Sequence, residues 1–87
     1  MINVTQANID QARMEIAQGG KRECCCPVAL AMIDAGYTSP LVRGGLSGIR
    51  SNKVLRLRVV PDKVREFIMD FDMGKPVQPF SFEENAP

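Results

Sequence analysis

The spacing of apolar residues changes at Pro61, and this change constrains the fold more than any other feature of the sequence. Within residues 53–60, leucine and valine alternate with arginine, which is the period of a strand with one buried face. Residues 64–71 instead place apolar side chains three and four positions apart, as in an amphipathic helix. The strand would bury Leu55, Leu57 and Val59, and the helix Val64, Phe67, Ile68 and Phe71. A strand that leads directly into a helix is therefore predicted.

A strand and a helix are predicted ahead of residue 20. Residues 2–4 alternate and are β-prone, and Thr5 is a suitable N-cap because its hydroxyl can accept a hydrogen bond from an unpaired N–H of the first turn. Gly19-Gly20 would end the helix, since glycine tolerates a left-handed backbone. The apolar stripe of this helix is Ile9, Ala12 and Ile16.

A second helix is predicted to begin at Pro27, where the missing N–H costs nothing. Residues 28–35 are almost wholly apolar, and a helix that is apolar all round is buried on most sides. Gly36 is the expected stop.

The remaining segments predict strands and turns. Leu41 begins a β region, residues 44–48 read as a glycine-rich loop, and Ser51-Asn52 is a second turn. Gly74 would end the third helix, and the proline-punctuated segment after it would lie back on the core or add an edge strand. We therefore expect one α+β domain over residues 1–87, with residues 83–87 frayed. It would have a small antiparallel sheet of three to four strands and two or three helices on one face, in the order β-α-α-β-β-α-(β).

Composition favours an ordinary globular protein, with 45% hydrophobic and 24% charged residues. No apolar run approaches the roughly 18 residues of a membrane span, and the first residues do not have the pattern of a secretory signal. The three cysteines are adjacent, so they do not form a spaced disulfide framework and a reducing compartment is expected. We therefore expect a cytoplasmic protein with no membrane partner.

Three fragments carry a resemblance to a known group. They are Val4-Thr5-Gln6-x-x-Ile9-Asp10, Cys26-Pro27-Val28-Ala29-Leu30-Ala31, and Phe67-Ile68-x-x-Phe71-Asp72-x-Gly74-Lys75-Pro76-Val77-x-Pro79-Phe80-Ser81-Phe82. Together they resemble short uncharacterised proteins of phage genomes and bacterial mobile elements, whereas residues 38–52 match nothing in that group. The resemblance implies a protein that acts in the cytoplasm of an infected bacterial cell, or in a virion. The group has no agreed activity, so no catalytic residue carries over.

The cysteine cluster, Cys24, Cys25 and Cys26, allows three interpretations, which are a reactive thiol, a metal site and small core positions. Cys26 would sit at the N-cap of the second helix, where the helix dipole would lower the pKa of its thiol. A soft metal such as zinc would need a fourth ligand that the chain does not supply, except across an oligomer. Cysteines that fill small core positions are the simpler alternative.

Positive charge is concentrated in one stretch. Residues 40–65 carry seven basic side chains and one acidic, net +6, whereas residues 66–87 are net −4. Arginines on one strand face could follow phosphates, although Tyr37 is the only ring near enough to stack on bases. The alternative is a solvated outer face that protects a sheet edge from aggregation. The glycine-rich loop beside these residues lacks the lysine and serine of a P-loop.

Catalysis is not expected from this chain. It contains no histidine, the usual base at neutral pH, and Asp70 and Asp72 point in different directions on a helix. We expect a non-catalytic binding protein without a cofactor, which captures or blocks a host protein or a small ligand through a basic, glycine-rich hairpin. The predicted contact residues are Arg43, Gly44, Gly45, Arg50, Lys53, Arg56 and Arg58. A virion accessory protein, a nucleic-acid-binding protein and a metal or redox protein remain alternatives, and homo-oligomers are plausible because a small sheet leaves open edges.

Overall fold

The computed structural model describes residues 1–21, 25–42, 45–57 and 60–83, and within them the chain is an α+β protein with eight elements. Their order is β1, α1, α2, β2, β3, β4, α3 and β5. The helices are α1 (Gln6–Ala17), α2 (Pro27–Asp34) and α3 (Asp62–Asp72). The strands are β1 (Ile2–Val4), β2 (Thr38–Val42), β3 (Leu46–Arg50), β4 (Lys53–Leu57) and β5 (Phe80–Phe82). The predicted fold class is confirmed, and the order matches apart from one additional strand.

The ends of the helices follow the predicted local chemistry. The Thr5 hydroxyl accepts a hydrogen bond from the Asn8 N–H at 3.2 Å and caps α1. Pro27 occupies the first turn of α2. The three helices end before Gly19, Gly36 and Gly74, whose φ angles are positive (98°, 96° and 76°). The longest of these helices has 12 residues, and in the described parts of the chain none is long and apolar enough to cross a membrane.

Helix α2 is the centre of the core. It packs against α1, β1 and β2, and its residues from Pro27 to Met32 are all buried. This burial explains why the helix is apolar all round. The other buried apolar residues surround it: Ile2, Val4, Ile9, Ala12, Tyr37, Leu46, Val64, Phe67, Phe71 and Phe82.

The strands form two antiparallel sheets instead of the single predicted sheet. One is a pair in which β1 and β5 lie side by side, with Ile2 opposite Phe82 and Val4 opposite Phe80. The other has the order β2-β3-β4. The prediction of an edge strand at the tail is confirmed, but its partner is β1, so the two ends of the described chain form a separate ribbon.

Strand β3 replaces most of the predicted glycine-rich loop, which is a correction to the expectation for residues 44–48. Gly48 lies inside this strand, and a Cβ added there would meet Met32 Cε at 3.0 Å and Tyr37 Cβ at 3.3 Å. The glycine is thus explained by close packing of α2 and Tyr37 on the sheet, a tertiary cause that resembles a loop signal in sequence. Of the predicted loop, Gly45 is described as a bend, and Gly44 lies outside the described residues.

Candidate binding site

The hairpin formed by β3 and β4 carries Arg50, Lys53 and Arg56 of the predicted contact set, and Gly45 lies directly before β3, outside the hairpin. Its two-residue turn, Ser51-Asn52, has positive φ at both positions (52° and 64°), the backbone that favours a tight hairpin. The register pairs Arg50 with Lys53 and Ser47 with Arg56. Arg43, Gly44 and Arg58 lie outside the described residues, as does Val59.

The alternation predicted for β4 is confirmed where the strand is described. Leu55 and Leu57 are half-buried and pack against the core, whereas Arg56 between them is exposed. One face of the three-stranded sheet therefore covers α2 and Tyr37. The other face is open to solvent.

The open face is hereafter the outer face. It was predicted to be basic, but it also carries exposed apolar side chains. Register places Ile49 beside Val54, and Leu41 beside Ser47, which itself pairs with Arg56. Val54 is 61% exposed, Leu41 44% and Ile49 41%. Sequence reasoning missed these three residues. One of them could have been found, because Val54 lies two positions before Arg56 on β4 and side chains two positions apart share a strand face.

Arg50 and Lys53 point to the opposite face from Arg56. The Arg50 guanidinium carbon lies 4.8 Å from the centroid of the Tyr37 ring, and its Nη1 donates to the Ala35 carbonyl at 3.2 Å. Lys53 lies on the same face of β4 as Leu55 and is the cross-strand partner of Arg50. The described members of the predicted basic set therefore divide between two faces of the hairpin.

A cleft of about 320 Å³ opens beside this second pair of cations. Tyr37 forms its buried floor, and the other lining residues are Arg50, Lys53, Val54 and Leu55. The Arg50 stem passes over Gly36, since a Cβ built there would lie at an ordinary contact distance of 3.4 Å from Arg50 Cδ. The cleft thus combines a held guanidinium with an exposed ammonium group.

The cysteine cluster differs from its predicted chemistry. Cys26 is the N-cap of α2, as predicted, and its sulfur accepts a hydrogen bond from the Ala29 N–H at 3.5 Å. However, burial raises the pKa of this thiol, because desolvation of the thiolate outweighs the backbone hydrogen bonds that would lower it. The predicted lowering of the pKa is wrong for Cys26. Cys25 is half-buried, and Cys24 lies outside the described residues.

Metal-ligating side chains do not gather in the described ranges, where no group of three or more His, Cys, Asp or Glu residues is placed to hold an ion. The chemistry that the hairpin offers is instead that of binding. Its outer face presents aliphatic side chains beside a guanidinium, and its inner end presents two cations beside a cleft.

Comparison with known proteins identifies no related family. The chain matches no protein-family model, no curated protein and no solved structure.

Proposed function

We propose that this chain is a non-catalytic binding protein of the phage type, which captures or blocks a host protein through the β3–β4 hairpin. The observation that supports the proposal best is the outer face, on which Leu41, Ile49 and Val54 are exposed beside Arg56. Apolar side chains grouped with arginine are typical of the centre of a protein interface. Such a group on a small monomer often marks an interaction surface.

A protein partner fits this face better than a nucleic acid does. A phosphate-tracking strand would place its cations on one side, but Arg50 and Lys53 lie on the face opposite Arg56. The one tyrosine, Tyr37, is buried beneath Arg50 and offers no open ring on which a base could stack. Exposed aliphatic groups add nothing to phosphate binding, whereas they contribute directly to a protein contact.

The rigid part of the fold explains how such a face could be presented. Gly48 brings β3 against Met32, and Leu46 is buried beneath the same strand. The hairpin is thereby fixed on α2 while its outer side chains stay exposed. A preformed surface loses less conformational entropy on binding than a mobile loop does.

The cellular setting is part of the proposal and rests on the resemblance to phage and mobile-element proteins. A small protein made in an infected bacterial cell would meet its partner in the host cytoplasm. A role in the virion is the alternative, and the same experiment separates the two.

The experiment is an affinity capture from extracts of infected cells, with the wild-type chain and three variants as bait. Val54→Asp and Arg56→Glu alter the outer face, and Arg65→Glu is the control because it reverses an exposed arginine on α3. Loss of the Asp62 ion pair in the control matters little, since exposed pairs contribute little to stability. Each eluate is analysed for proteins, nucleic acids and metals, and the captured protein is then purified and its binding measured directly.

The proposal predicts one protein that binds the wild type and Arg65→Glu with equal affinity and binds the two outer-face variants at least several-fold more weakly. Equal binding by all four baits would refute the assignment to the outer face. Recovery of nucleic acid with a steep loss of affinity in salt would favour the nucleic-acid alternative. Copurification with particles in fixed copy number would favour the virion role.

A further inference from the structure

We infer that the cleft at the turn end of the hairpin, beside Tyr37, Arg50 and Lys53, binds an oxyanion group, either phosphoryl or carboxylate. The inference rests on the proposed function, since it names the chemical group that the captured ligand or partner would carry. Both cations lie on the opposite side of the hairpin from Arg56, and the cleft meets the outer face only at Val54, which lines both.

The first argument is that the Arg50 side chain is already held in place. Its stem passes over Gly36, its guanidinium covers the Tyr37 ring, and one nitrogen donates to the Ala35 carbonyl. That carbonyl belongs to the C-cap of α2, where the helix dipole favours a positive charge. The ring contact and the hydrogen bond therefore hold the fork in one orientation before any ligand arrives, so little side-chain entropy is lost on binding.

The second argument is the position of Lys53. It is directly opposite Arg50 in an antiparallel pair, and like charges in this arrangement repel each other. Among the residues that the structure describes, no carboxylate forms an ion pair with either side chain. An anion between the two would replace the repulsion with two attractions. Within the described parts of the chain, two positive charges thus lie side by side without a carboxylate counter-charge.

The third argument concerns the kind of ligand. Arg50 uses one nitrogen on Ala35, and its remaining N–H donors match the spacing of oxygens on a phosphoryl or carboxylate group. Lys53 adds up to three further donors on a flexible stem. The cleft, at about 320 Å³, has room for such a group and part of the molecule that carries it. Because Arg50 occupies the exposed face of Tyr37, recognition would depend on charge and not on ring stacking.

The test uses the purified full chain and two simple probes, inorganic phosphate and acetate. Each is titrated at constant ionic strength and pH 7 with chloride as the reference anion, and amide chemical shifts are followed by NMR. The matched variants are Lys53→Ala, which removes one cation of the cleft, and Arg56→Ala, which removes a cation from the other face of the same strand. Both positions are exposed, so both variants should fold, and their spectra show whether they do.

The expected result is a saturable shift of the amides around residues 36–37 and 50–55. Binding should weaken about tenfold in Lys53→Ala, the loss expected for one charge-assisted hydrogen bond, and stay unchanged in Arg56→Ala. Saturation by phosphate alone would assign the site to phosphoryl groups, and saturation by both probes would extend it to carboxylates. Shifts that do not saturate, that chloride reproduces, or that persist unchanged in Lys53→Ala would overturn the inference.

The same variants separate this inference from the proposed function. If the outer face captures a protein but neither probe saturates, only the oxyanion site is refuted. If phosphate binds in the cleft while Val54→Asp and Arg56→Glu capture the same partner as the wild type, only the outer-face proposal is refuted.

Discussion

Replacement of Asn8 by alanine should lower the free energy of unfolding by about 2–3 kcal/mol, although this residue lies far from the proposed binding faces. Its side chain is 3% exposed and joins two helices. Oδ1 accepts from the backbone N–H and the hydroxyl of Thr5, both at 2.9 Å, and thereby completes the cap of α1. Nδ2 donates to Asp34 Oδ2 at 2.8 Å, at the end of α2.

The expected loss in the free energy of unfolding follows from the two hydrogen-bonding roles of the Asn8 side chain. A helix cap contributes about 1 kcal/mol. A hydrogen bond to a charged group contributes about 1.5–3 kcal/mol, and we take the lower part of that range because Asp34 is exposed to solvent. In a chain of 87 residues, the sum corresponds to a fall in melting temperature of roughly 10–20 °C.

An exchange of the two side chains tests whether this hydrogen bond is the cause. Asn8→Asp should be destabilised at pH 7 because two carboxylates would face each other. The double variant Asn8→Asp/Asp34→Asn restores a donor and an acceptor in reversed order, so its stability should approach that of the wild type. Urea denaturation of the wild type, Asn8→Asp, Asp34→Asn and the double variant gives the coupling energy. A double variant whose loss equals the sum of the two single losses would refute the proposed link between the helices.

Three further predictions concern the core. Gly48→Ala should lower stability by about 1–3 kcal/mol, measured by urea denaturation, because the new Cβ would press on Met32; a neutral result would show that this side chain moves aside. The raised pKa of Cys26 means that the folded chain holds its thiol proton more tightly than the unfolded chain does, so stability present below about pH 8.5 should be lost as the pH rises further. Cys26→Ala should flatten that loss in pH-dependent melts, and an equal slope in both proteins would contradict the assignment. Phe80→Ala should cost about 2–4 kcal/mol and speed proteolysis after residue 74, because its ring lies 4.7 Å from that of Phe67; unchanged cleavage would show that β5 is held by other contacts.

The helix boundaries could be predicted from sequence because each depends on a few neighbouring residues. Thr5 caps its own helix, Pro27 suits the first turn whatever lies around it, and Gly36 and Gly74 provide a left-handed backbone at a helix end. The stripe on α3 was equally clear, since Val64, Phe67 and Phe71 are all buried. These features need no knowledge of the tertiary fold.

The features that sequence reasoning missed depend on distant contacts. In the sequence, Gly48 resembles a loop residue. The structure explains this glycine by its close contact with Met32, which lies in another element. The predicted lowering of the pKa of Cys26 considers only its helix terminus, whereas burial in the core, which was the simpler alternative, decides the direction of its pKa. The division of the basic residues between two faces could be predicted in part. A two-residue turn pairs Arg50 with Lys53 and so places both side chains on the same face of the hairpin.

The pairing of β1 with β5 has a consequence for how the chain acquires its structure. The hydrogen bond from Ser81 to Asn3 joins residues 78 positions apart, and closing a loop of that length costs about 4 kcal/mol of chain entropy. During synthesis, Ile2 and Val4 can pair with β5 only after residues 80–82 have been made. A shortened product that stops before Phe80 would therefore keep an open edge on β1 and an uncovered Phe67, so this part of the fold is completed only once β5 has been made.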